Sequence, residues 1–209
     1  RPIAYFGYGE MGLNPLNNPI DVAIATYPWG TYLGEEGLRK GVRCKVSSWC
    51  RLDPRVLPPL AKATANYLNS VLAKVEALQS GYDEAIVLTT SGTVSEGPGE
   101  NIFFVKDGEL ITPWVATGPL QGITMASVKQ IARDFGTRVV EREVLREELF
   151  LADEVFFTGT AAEVTPVREI DGRIIGEGTR GPITERIQAK FFEIVRGKDP
   201  NYAKWLTYV

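Results

Sequence analysis

Short apolar runs broken by turn residues fill the first part of the chain, and helical periodicity appears later. Residues 3–8 and 21–27 are rich in β-branched and aromatic side chains and predict two strands, joined by an Asn- and Pro-rich loop over 12–19. Gly30, Gly34 and Gly37 follow closely and predict a flexible crossing between lobes. A strand is expected over 42–48. Over 60–78, Leu60, Thr64, Leu68, Val71, Leu72, Val75 and Leu78 share one face of a helical repeat, which predicts a helix there. Strands are expected over 85–90, 102–105 and 109–112, with Lys106, Asp107 and Gly108 turning the last pair. A helix over 122–135 is closed by Gly136. A strand follows over 139–142 and a short helix over 147–152. Three more strands, 154–158, 163–168 and 173–176, precede a closing helix over 181–195 with Ile183, Ile187, Phe191 and Ile194 at helical spacing. Asp171 and Gly172 turn the last two strands. Strands and helices mixed in this way, with several hairpins, argue for an α+β or irregular barrel architecture rather than a doubly wound parallel sheet.

Composition narrows the function. The chain has 209 residues, 44% of them apolar, enough for one large domain or one and a half ordinary ones. Net charge is −3 and no basic run occurs, so nucleic-acid binding and membrane-surface adhesion gain no support. No apolar run approaches membrane-spanning length. No secretory signal is visible, although a chain beginning at Arg1 can have lost one. There is no histidine, which excludes Ser-His-Asp and Cys-His catalysis and His-ligated metal sites. Acid–base work must fall to Lys, Tyr, Glu, Asp or Cys. Cys44 and Cys50 are too few for a zinc site or a disulfide framework, and are expected to be reduced, in a cytoplasmic protein.

Four segments carry candidate chemistry, each with a plainer reading beside it. Between the apolar runs 85–88 and 102–105 stand Ser95, Glu96, Gly97, Pro98, Gly99, Glu100 and Asn101. Glycines beside a carboxylate let backbone approach a bound group, or the segment is a wide hairpin loop with a solvated acid. Lys62 lies among Leu60, Ala61, Ala63 and Ala65, where desolvation would make an amine nucleophile, unless its stem snorkels and its ammonium stays wet. Gly122, Ile123 and Thr124 open a helix whose free N–H groups make a phosphate cup, or Thr124 simply caps it. Residues 158–162, Thr-Gly-Thr-Ala-Ala, suit a second anion contact or a tight strand crossover. Together the four offer what pyridoxal phosphate requires: an amine for the aldehyde, a carboxylate for the ring nitrogen, and donors for the phosphate.

With these segments in this order, the chain resembles the fold-type IV (class IV) pyridoxal-phosphate aminotransferases, most nearly the branched-chain members. The likeness runs from Arg1 to about Val195. It rests on Ala61-Lys62-Ala63 with Asn66-Tyr67-Leu68, on residues 95–101, on Gly122-Ile123-Thr124, and on 151–155 followed by 159–166. Residues 11–14 and 27–30, with Tyr32, also look like branched-chain members. The resemblance implies a two-lobed fold: residues 1–36 as the end of a small lobe and linker, and 37–209 as a large, irregular barrel-like cofactor domain. It implies that Lys62 attaches pyridoxal 5'-phosphate as a Schiff base, that Glu96 bonds the ring nitrogen and that Tyr67 bonds the phenolic oxygen. Ile123, Thr124 and Thr160 would hold the phosphate, and Leu120 would pack on the ring. Thr160 and Ala161 would receive the substrate α-carboxylate. Trp29 and Tyr32 would shape an apolar pocket, and Arg1 would help receive a distal carboxylate. The implied reaction passes an amino group between a branched-chain L-amino acid and 2-oxoglutarate, in a homodimer or larger homo-oligomer. Gln121 and Pro98 stand where many relatives carry proline and alanine. The family also has more chain before Arg1, including a phosphate-binding arginine, so a longer native polypeptide is expected. A lyase of the same fold and a catalytically silent binding module are the alternatives.

Overall fold

The computed structural model describes residues 1–208 and divides into two units, Arg1–Gly30 and the chain from Thr31 onward. The first is a two-stranded antiparallel ribbon, β1 (Pro2–Phe6) and β2 (Ile20–Ile24), with Pro2 opposite Ile24 and Phe6 opposite Ile20. Every residue of both strands is exposed. Arg1 and Trp29 belong to this unit, the guanidinium lying 5.4 Å from the indole centroid.

The second unit opens with a helix, α1 (Gly34–Lys40), where glycines predict a flexible crossing. Its charges explain the difference. Glu35 and Glu36 occupy the first turn and Arg39 and Lys40 the last, each favourable to the helix dipole. Then come β3 (Val42–Cys50), α2 (Tyr67–Gln79), β4 (Glu84–Leu88), β5 (Val94–Glu96), β6 (Asn101–Lys106) and β7 (Glu109–Pro113). These are followed by α3 (Ile123–Asp134), β8 (Val139–Arg142), β9 (Glu154–Gly159), β10 (Glu163–Ile170), β11 (Arg173–Ile174) and α4 (Pro182–Val195).

One mixed sheet carries the unit, in the order β5-β4-β3-β10-β9-β6-β7-β8, with β11 on β10. Pairs β3–β10, β3–β4 and β7–β8 are parallel, the others antiparallel. Asp107 and Gly108, and Asp171 and Gly172, all have positive φ, as two-residue hairpin turns require, and join β6–β7 and β10–β11. The stretch between β4 and β6 is not a hairpin. β4 pairs with β3 and β5, while β6 pairs with β7 and β9. The loop after β5 therefore crosses from one part of the sheet to another.

Both faces of the sheet are covered, so its central strands read as unbroken apolar runs. Ile102 and Phe104 enter one core with Val46, Ile86, Val155 and Phe157. Phe103 and Val105 enter the other with Phe156, Val164, Met125 and Val128 of α3, and Ile187 of α4. Phe103 and Phe156 stack with centroids 5.2 Å apart. Buried Glu154 of β9 caps α4, accepting from the Ile183 and Thr184 N–H groups at 3.0 and 2.7 Å. That contact needs Gly181, whose Cβ would lie 2.2 Å from the Glu154 carboxyl carbon.

The expected helix over 60–78 differs in extent and in facing. It starts at Tyr67, after a 3-10 turn over Thr64–Asn66, so Leu60 and Lys62 precede it. Leu68, Val71, Val75 and Leu78 are exposed. The buried face is Ser70, Ala73 and Ala77; Ala73 and Ala77 pack on Ala85 and Val87 of β4, and Ser70 lines the cavity described below.

Candidate active site

Lys62 is fixed through its loop. The buried Asn66 amide donates to the Pro58 and Ala61 carbonyls, both at 2.9 Å, and so clamps the turn that presents the lysine. Lys62 is exposed, which agrees with the reading in which its ammonium stays wet rather than with the desolvated one. Its ammonium is oriented by Tyr67 at the start of α2, donating to the phenol oxygen at 2.9 Å.

Glu96 closes β5 and is 4% exposed. One oxygen pairs with an Arg51 guanidinium nitrogen at 2.8 Å. The other accepts from the Asn101 amide at 3.2 Å and the Leu120 N–H at 3.1 Å. Asn101 also donates to the Leu120 carbonyl at 2.7 Å, which ties the Leu120 segment to the carboxylate. Burial pushes the Glu96 carboxyl up to about 7, against the opposing pull of Arg51, the Leu120 N–H and Lys62. The solvated hairpin acid is thus excluded.

At the start of α3, Gly122 takes the cap position and no side chain caps the helix. A Cβ on Gly122 would meet the Asn101 amide oxygen at 2.3 Å, so glycine lets the helix start approach Asn101. The first N–H groups of Ile123 and Thr124 therefore have no hydroxyl cap, an arrangement able to receive an anion.

These elements surround one cavity of about 280 Å³, lined by Lys62, Tyr67, Glu96, Leu120, Ile123, Thr124 and Thr160, all seven expected cofactor residues. Arg51, Gly99, Glu100, Asn101 and Thr158 also line it. Ala161 and Tyr32 do not. Ala161 is exposed beside Thr160, and Tyr32, before α1, bonds through its hydroxyl to Glu84. Three buried polar atoms in this wall have no partner: Arg51 Nε, Glu100 Oε1 and Thr158 Oγ1. An amine, a buried carboxylate, an uncapped helix start and orphaned polar atoms fit a phosphorylated pyridine aldehyde. Among the described residues no group of His, Cys, Asp and Glu could hold a metal ion, and no helix is long and apolar enough to cross a membrane. Arg51 is the contact that sequence reasoning missed. Its signal is weak, because an arginine just past a strand ordinarily reads as exposed.

The comparisons with known proteins agree with this geometry. The amino-transferase class IV family matches residues 1–170. Branched-chain-amino-acid aminotransferases of Pseudomonas aeruginosa and Escherichia coli K12 are 46% and 48% identical, each over 100% of this chain and 68% of their own length. Among solved structures, the Escherichia coli branched-chain amino acid aminotransferase superposes with a TM-score of 0.96 at 47% identity, covering 99% of this chain and 68% of that one. The branched-chain amino acid aminotransferase of Thermoproteus uzoniensis with norvaline gives 0.93 at 48% identity, over 99% and 67%. A further branched-chain amino acid aminotransferase, solved with pyridoxamine 5'-phosphate, also gives 0.93, at 50% identity over 99% and 68%. A mixed α/β fold, one cavity holding the amine and the carboxylate, and relatives this similar lead to one conclusion: the chain belongs to the class IV aminotransferases.

Proposed function

We infer that this chain transfers an amino group between a branched-chain L-amino acid and 2-oxoglutarate, using pyridoxal 5'-phosphate. One observation carries the reading: Lys62, Tyr67, Glu96 and the α3 start line a single cavity. When bound, the cofactor supplies an electron sink for the pair left behind by the departing α-proton.

The chain's own residues supply the rest. The Lys62 amine would anchor the aldehyde, and as a free amine it would be the base that takes the α-proton and returns it. Tyr67 keeps that amine in place through the 2.9 Å bond. Glu96, held on both oxygens by Arg51, Asn101 and Leu120, would present a carboxylate to the ring nitrogen. Leu120, which lines the cavity, would pack on the ring. Ile123, Thr124 and Thr160 would hold the phosphate by N–H groups and hydroxyls. The Thr160 and Ala161 N–H groups would receive the substrate carboxylate. Arg1, Trp29 and Tyr32 are proposed for the side-chain pocket, which must accept an apolar chain and a distal carboxylate in turn. A homo-oligomer in the cytoplasm belongs to the same reading.

The test uses the full protein with pyridoxal phosphate, borohydride and peptide mapping. A label on the peptide carrying Lys62, and glutamate formed from leucine and 2-oxoglutarate, are expected. Lys62→Ala should abolish both. A label elsewhere would overturn the lysine assignment, and labelling without glutamate would point to lysis.

A further inference from the structure

Behind the Gly97–Gly99 loop lies a buried group of charges that the mechanism above does not use. Glu84 of β4 is fully buried. Lys74 of α2 reaches its Oε2 at 2.7 Å, and the Ala85 N–H donates to its Oε1 at 3.0 Å. The Tyr32 hydroxyl bonds to the same carboxylate. Glu100 is 4% exposed and lies within hydrogen-bonding reach of Glu84. Its Oε2 accepts from the Gly99 N–H at 3.0 Å, while its Oε1 is buried and meets no donor.

An ionised Glu100 would leave one oxygen desolvated and unsatisfied, beside a second carboxylate. A protonated Glu100 resolves both faults, because an acid O–H can donate to Glu84. Glu84 already has an ammonium partner, so it is the member of the pair that stays ionised. Burial and the neighbouring Glu84 push the Glu100 carboxyl well above the usual range. The other titratable groups near the pair are Tyr32, Lys74, Asp83 and Cys44. Burial and the two glutamates raise the Tyr32 phenol and the Cys44 thiol as well.

The location gives the proton a use. Glu100 lines the cavity, and its Cβ would stand 3.5 Å from a Cβ placed on Gly159, inside the Thr158–Thr160 turn. That turn is one of the two proposed anion cups. We propose that Glu100 is a positioning residue that stands in the cavity wall as an un-ionised acid, its proton donated to Glu84, so that no negative charge opposes anionic ligands at the Gly159 turn. Lys74 and Tyr32 keep Glu84 as the acceptor, so the proton stays on the cavity side. This deepens the cofactor reading and rests on it for the identity of the anion.

Two measurements on the full protein test it. The first needs no ligand: the infrared difference between wild type and Glu100→Gln at neutral pH. A protonated-carboxyl carbonyl band is expected in the wild-type-minus-variant difference, where the contribution of Glu96 cancels, and a difference spectrum without that band overturns the proposal. The second is the affinity for pyridoxal phosphate, read by absorbance. Glu100→Gln keeps a neutral donor toward Glu84 and should bind within about twofold of wild type. Glu84→Gln removes the negative charge beside Glu100 and gains an amide N–H that can donate to it, so Glu100 ionises and the variant should bind about tenfold more weakly, as expected for one added charge near an anion. The double variant should recover. Unchanged binding in Glu84→Gln, or a tenfold loss in Glu100→Gln, overturns the assignment, and the infrared result decides if Glu84→Gln does not fold. Failure of every form to take up pyridoxal phosphate, with the band present, sinks the cofactor reading and leaves the proton on Glu100.

Discussion

Glu96 is the side chain through which pH acts most directly on this chain. Its buried carboxyl titrates near 7 in the folded state, against 4.5 when free. The unfolded chain therefore releases this proton at lower pH than the folded one. Above pH 4.5 the unfolded state binds fewer protons, so folding stability falls as pH rises and the loss is complete just above 7. The span sets a ceiling of about 3 kcal/mol. Denaturant melts of the cofactor-free protein should weaken across that window, and Glu96→Gln should flatten part of the slope, the rest belonging to the other carboxyls that burial raises, Glu100 and Glu163. An unaltered slope in the variant would contradict the assignment. At this scale the sequence was most legible where a residue belongs to a local motif. Lys62, Glu96, Ile123 and Thr124 could be named because each stands in a short recognisable segment. Arg51 and Glu84 could not, since their roles come from partners brought close only by the sheet, Glu96 for one and Glu100 for the other.

Among the elements, α2 separates periodicity from packing most clearly. Its apolar stripe satisfies the helical repeat, yet the sheet is met by Ala73 and Ala77. Small side chains let the helix axis approach β4 closely, which a leucine face would not allow. Ala73→Leu should therefore overpack the contact and lower stability by about 1–3 kcal/mol. Val71→Ala, on the exposed stripe, should change it by less than about 0.5 kcal/mol. Equal effects in denaturant titrations would restore the apolar face as the packing face. Hydrophobic pattern predicted the helix and misplaced its start, because the turn Thr64–Asn66 is made by Asn66 bonding backward to Pro58 and Ala61. It also missed β5, three residues whose place at the sheet edge beside β4 has no local signature.

For the whole molecule, the two units differ in how they are held. The Thr31-onward unit has a sheet covered on both faces, and its strands β6 and β9 are each buried at five of six residues. Every residue of the strands β1 and β2 is exposed, and a two-stranded ribbon alone is at best marginal in water. Hydrogen exchange on this chain should show little protection over residues 2–6 and 20–24 and near-global protection over 102–105 and 155–158. Comparable protection in the two regions would refute the contrast. Hairpin turns and the closing helix were readable because neighbours in sequence make them. The parallel pairs of β3 with β4 and β10 were not, since their partners lie far apart along the chain.

Both cysteines are unpaired, Cys44 enclosed in the core and Cys50 exposed. Cys50 directly precedes Arg51, whose guanidinium lines the cavity. A maleimide dye would accordingly find a single accessible thiol in the folded protein, one residue from the pocket, and its emission would follow occupancy without any engineered attachment point.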